Sequence, residues 1–246
     1  MSNHSGPALS LDHIGVIVND LDVGAQRWRD LGFTLSERSP QMGLNKAGTG
    51  FEPWATANHC AVMDVGYLEL IGVHRPDCPN PWASFLSRFE GGHIIALRCD
   101  TADDAYDYLR MHSEDFDPPV DRRRDAPVDG GTEEMRFRNI FSRDARVREG
   151  RYIVIEHQTP QVLWQPRLMR HANGATSIES ITVVADQSDD VRHRLGVLCG
   201  ADASDAAPEH FEFHCPAGGK IVLTSSTQFN ARFGTDFDGS PRIAAV

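Results

Sequence analysis

Residues 11–32 read LDHIGVIVNDLDVGAQRWRDLG, and the chain repeats this grammar twice more, which constrains its fold more than any other feature. Apolar residues alternate from Ile14 to Val18, and Asp20 offers a side-chain oxygen to the free amides of a helix start. Leu21, Ala25 and Trp28 then recur at helical spacing before Gly32. The stretch predicts a strand, a tight turn and a helix. A second copy over 92–111 has strand residues 94–97, a turn at Asp100, and a helix whose buried face carries Ala105, Tyr108 and Leu109. A fainter third copy over 177–200 has a strand at 178–184, then Asp186, then a helix with Val191, Leu195 and Leu198. A period of about 80 residues indicates repeated supersecondary units rather than a solenoid.

The segments between the copies complete each unit. Residues 33–39 predict a second strand, 41–58 a long loop rich in Gly, Asn and Thr, 58–64 a third strand and 67–71 a fourth, so the first unit reads βαβββ. The second unit closes on Tyr152-Ile153-Val154-Ile155, and a proline-marked connector at 159–174 is anchored by Leu163 and Trp164. The third closes on Lys220-Ile221-Val222-Leu223 and looks partial. The expected boundaries are 9–75, 90–158 and 175–224, with 225–246 a mobile tail.

The register of the repeat singles out a few side chains. His13 lies seven residues before Asp20, His93 seven before Asp100, and Glu179 seven before Asp186, which places the three on equivalent faces of equivalent strands. Glu69 is a charge inside the apolar strand YLELI, where burial is costly unless the carboxylate is paired or bound to a cation. Val154 holds the matching place in the second unit, and Glu156, two residues on, shares its face. Two imidazoles and a carboxylate from repeated strands suit Fe, Mn, Co, Ni or Zn at an open site. Arg136 and Arg138, on one strand face, are candidates for clamping a substrate carboxylate, although the surrounding Asp and Glu residues favour a solvated surface.

Composition excludes some partners. A net charge of −11 opposes binding to nucleic acid or an anionic membrane. Five cysteines without CxxC spacing point to reduced thiols in a cytoplasmic protein, and no export signal or membrane span is visible.

The strings LDHIGVIVNDLDVGAQRWRDLGF, YLELIGV and GGHIIALRCD resemble the vicinal oxygen chelate superfamily, which includes glyoxalase I, methylmalonyl-CoA epimerase, extradiol dioxygenases and bleomycin-resistance proteins. The resemblance covers residues 9–158 and is nearest to glyoxalase-like proteins of unassigned substrate. It implies an α+β fold of the glyoxalase/dihydroxybiphenyl dioxygenase-like kind, with two full modules forming a cup around a divalent metal held by His13, Glu69 and His93. Glu156 becomes the candidate general base; adjacent His157 would need a bulge to face inward. The implied reaction is a lyase or isomerase step through an enolate-like intermediate on a small substrate with vicinal oxygens. An extradiol-type Fe(II) dioxygenase is the alternative within enzymes, and a metal-free small-ligand-binding protein the alternative outside them. A homodimer is compatible with the third unit.

Overall fold

The chain leaves its first strand through a capped helix start. In the computed structural model, which describes residues 7–45, 47, 49–143, 147–200, 204–207 and 209–246, the Asp20 side chain accepts from Val23 N at 3.0 Å and opens α1 (Leu21–Asp30) after β1 (Ser10–Val18). Then come β2 (Ser39–Leu44), β3 (Phe51–Val62) and β4 (Tyr67–Val73). A short helix, α2 (Ala83–Leu86), leads to β5 (Gly91–Arg98), α3 (Ala102–His112), β6 (Val120–Val128), β7 (Gly131–Phe141) and β8 (Arg151–His157). The third unit is β9 (Ser180–Val184), α4 (Asp189–Cys199), β10 (Ser204–Ala207), β11 (His210–His214) and β12 (Lys220–Thr224), followed by α5 (Ser226–Phe233) and β13 (Arg242–Ala245). The order βαβββ occurs three times, in an α+β fold.

Four sequence expectations change. The second strand begins at Ser39, where 33–39 was expected to hold it, because the preceding backbone is pinned sideways: Ser36 N bonds Cys60 O and Thr34 N bonds His171 Nδ1. The stretch expected to be a long loop is instead a hairpin, paired from Ser39–Asn58 to Leu44–Phe51. The third unit has all its strands, and the segment expected to be a mobile tail is folded. Ser225 caps α5, and β13 sits in the sheet with Ile243 buried.

Among the described residues, the strands join one 13-stranded sheet. In each unit the first and last strands are parallel neighbours: β1 with β4, β5 with β8, β9 with β12. The first two units meet where β1 and β5 run antiparallel, and β13 links β5 to β9. One face is covered by helices. Ala102, Ala105 and Leu109 of α3 and Val191, Leu195 and Leu198 of α4 share a core with Ile14, Ile95, Leu97, Tyr152 and Val154. Helix α1 approaches β4 so closely that a Cβ on Gly72 would lie 2.7 Å from Leu21 Cα. The other face carries alternate residues of the same strands, including Ile17, Ile71, Ile94, Ala96 and Ile153. Among the described residues no helix is long and apolar enough to cross a membrane.

Candidate functional site

The ladder between β1 and β5 is interrupted twice, and each interruption holds a polar residue. Leu11 pairs with Leu97 and His13 with Ala96, so Asp12 is an extra residue in β1. Gly15 pairs with Ile94 and Val16 with Gly92, so His93 is an extra residue in β5. A bulge brings two consecutive side chains to one side of a strand, which accounts for Asp12 and His13 touching. His13 Nδ1–H donates to Asp12 Oδ1 at 2.7 Å.

Asp12 has no exposure and three partners. His157 Nε2 lies 3.1 Å from Oδ2, and Arg98 Nε donates to the same oxygen at 2.9 Å. Burial alone would raise the carboxyl's pKa. The hydrogen bonds from His13 and His157, with the electrostatic attraction of the two rings, hold it well below the usual carboxylate range. The connector after β8 roofs this network: Arg98 stacks over the Trp164 ring at 4.4 Å, and Trp164 Nε1 donates to Met63 O at 3.1 Å.

With Nδ1–H committed to Asp12, the lone pair of His13 sits on Nε2, which lies 3.8 Å from Glu69 Oε2. Tyr67, the cross-strand partner of His13, stacks on the imidazole with ring centroids 4.2 Å apart. Glu69 keeps some access to solvent, and its Oε1 accepts from Asn58 Nδ2. Asn58 Oδ1 in turn accepts from Arg124 Nη1 at 3.1 Å, and the same nitrogen donates to Ser39 Oγ at 2.7 Å. Cys60, opposite Glu69 on β3, is buried and its thiol is pushed up to about 12, first by burial and then by the neighbouring Glu69 charge.

His93 takes no part in this cluster. It has no exposure, its Nε2 lies 2.9 Å from Phe89 O, its ring stacks on Phe89 at 4.2 Å, and its Nδ1 is buried without a partner among the described residues. The helix starts explain why. The N-cap position of α1 is Asp20 and that of α3 is Thr101, so the starts are 81 residues apart where the histidines are 80 apart. The residue equivalent to His13 is therefore Ile94, and His93 takes the bulge position of Asp12. Ile153, opposite Ala96 as Glu69 is opposite Gly15, stands in the glutamate position. The second unit's half of the site is apolar.

Glu156 also lies elsewhere. It shares a face with Tyr152 and Val154, which pack under the helices, and its Oε2 accepts from Ala102 N at 2.8 Å, capping α3. His157 is the residue of that strand end that reaches the cluster. Arg138 is engaged by Asp103 at 2.7 Å and Asp121 at 3.1 Å on the surface. Glu179 is exposed just before β9. A cavity of about 150 Å³ in the third unit, lined by Asp186, Glu209 and Thr224, contains none of the clustered residues.

A metal centre built from His13, Glu69 and His93 does not fit this arrangement. A catalytic centre of that kind takes three protein ligands, only His13 and Glu69 converge, and Glu69 has one oxygen committed to Asn58. Among the described residues no group of three or more His, Cys, Asp or Glu side chains is placed to hold a metal ion.

Residues 11–199 match the glyoxalase-like domain family, spanning the first two units and the start of the third. The chain belongs to the glyoxalase-like family. That places it in the vicinal oxygen chelate superfamily. No curated protein matches the sequence. Solved structures share the glyoxalase-like fold at low identity. A hypothetical protein from Staphylococcus aureus aligns with a TM-score of 0.65 at 12% identity, covering 89% of this chain and 86% of its own. A mutant of 4-hydroxymandelate synthase from Streptomyces coelicolor aligns at 0.53 and 13%, covering 96% of this chain and 69% of its own.

Proposed function

We propose that this glyoxalase-like protein is a proton-transfer enzyme, a lyase or isomerase acting beside a carbonyl group of a small oxygen-rich substrate. The observation that carries the reading is the line Asp12–His13–Glu69. A buried carboxylate fixes the imidazole tautomer at 2.7 Å, and the free Nε2 faces a second carboxylate at 3.8 Å. Held in this way, His13 Nε2 takes a proton from the substrate carbon while the C–H electron pair moves to the carbonyl oxygen as an enolate. The proton then returns to carbon in an isomerase, or leaves with a neighbouring group in a lyase. A positioned base of this kind contributes about 10²–10⁴-fold. Glu69, the more accessible of the two, borders the reacting carbon, and Asp12 stabilises the imidazolium that forms. The extradiol alternative required His93 beside His13 and Glu69, so the same geometry counts against it.

Solvent exchange tests the proposal. The protein is incubated in D₂O with a panel of 2-hydroxy and 2-oxo carbonyl compounds, and loss of the C–H signal is followed by proton NMR. Exchange in at least one compound is expected, slowed about 10²-fold or more in His13→Gln and unchanged in His93→Ala. Exchange by His13→Gln at the parent rate removes His13 as the base. Binding of a panel compound without any exchange favours the ligand-binding alternative.

A further inference from the structure

The two acid–guanidinium pairs of the site are built differently. Asp12 and Arg98 are in direct contact at 2.9 Å. Glu69 and Arg124 are held apart by the amide of Asn58, which donates to the first and accepts from the second. Among the described residues no carboxylate lies within ion-pairing distance of Arg124, although the guanidinium is half-buried and permanently charged.

Its hydrogen bonds are one-sided as well. Nη1 is occupied by Ser39 Oγ and Asn58 Oδ1, whereas Nε is buried without a partner and Nη2 makes no hydrogen bond among the described residues. Nε–H and the outer N–H of Nη2 form the edge of a guanidinium that grips a carboxylate with two parallel bonds. The Cys60 thiol is the polar neighbour of this group and interacts with the guanidinium as a weak sulfur acceptor, but as a neutral thiol it supplies no counter-charge. A buried N–H with no acceptor is destabilising, so the edge is maintained at a cost that a ligand anion would remove.

We propose that Arg124 is the anchor for a carboxylate on the substrate, which makes the substrate a small organic acid whose C–H next to a carbonyl group is presented to His13 and Glu69. Ser39 and Asn58 are positioning residues that fix the fork. The substrate assignment rests on the proton-transfer reading; the anion site itself does not.

A ligand-observed NMR titration separates the two. The full chain is titrated with lactate, pyruvate, neutral lactamide and inorganic phosphate, and so are Arg124→Gln, Arg124→Lys and His13→Gln. Lactate or pyruvate is expected to bind, with lactamide at least tenfold weaker. Arg124→Gln is expected to lose at least tenfold in carboxylate affinity, and Arg124→Lys, which restores the charge but not the fork, to fall between. His13→Gln is expected to keep carboxylate binding while losing exchange. The lactate–lactamide comparison needs no variant, so the test survives even if Arg124→Gln folds poorly. The proposal is overturned if the parent binds neither carboxylate, if lactamide binds as well as lactate, if a folded Arg124→Gln binds like the parent, or if phosphate binds more tightly than both acids.

Discussion

A carboxylate with no access to water has to be compensated atom by atom, and Asp12 is, by His13, His157 and Arg98. Removing its charge leaves Arg98 without its partner and His13 without its tautomer restraint. Asp12→Asn is therefore expected to destabilise the protein by about 2–4 kcal/mol, less than the 3–5 typical of a fully buried pair because Arg98 is partly exposed; urea unfolding measures it. The sign with pH follows from the depressed pKa. The stability is present above the ordinary carboxylate value of 3.8 and is lost as pH falls below it, so the parent should lose stability below about pH 4 and Asp12→Asn should lack that component. His13 was legible from its register in the repeat, and Glu69 because it is a charge in an apolar strand. Asp12 was not, because its role depends on a bulge, and an extra residue in a ladder is defined only by the partner strand. Arg124 was hidden for a similar reason. It lies in an acid- and arginine-rich run that reads as solvated surface, and only the fold carries it to Ser39 and Asn58.

At the level of elements, α3 shows how a one-residue difference redirects a side chain. Asp100 and Thr101 are both good capping types, and counting to the first makes His93 the twin of His13. The helix starts one residue later, and the cap acceptor is Glu156, 54 residues away in sequence; the Thr101 side chain makes no cap bond. Pattern reading sees local caps and has no means of seeing one donated by a neighbouring strand. Glu156→Gln is expected to cost about 0.5–2 kcal/mol and to leave solvent exchange untouched, while Thr101→Ala stays within about 0.5 kcal/mol of the parent. Paired urea melts and the D₂O assay check both, and a large loss of exchange in Glu156→Gln would restore it to the chemistry.

For the whole molecule, the threefold βαβββ order was readable in the hydrophobic periods, but the joining of the units was not, since single pairings such as Ile243 with Gly92 leave no periodic trace. Strand β13 borders β9 through Arg242 and Ile243 and touches β5 through Ile243, whose side chain is buried in the main core. Ile243→Ala is expected to cost about 2–5 kcal/mol, and a chain stopped at Ser225 to elute as aggregates on size exclusion through the uncovered edge of β9. Strand β13 comes later in sequence than both strands it joins. During synthesis the first two units can therefore pair through β1 and β5 while the third waits beside them, its edge unsealed until residues 242–245 have cleared the ribosome. The order in which this sheet can close is thus set by where that one short strand falls along the message.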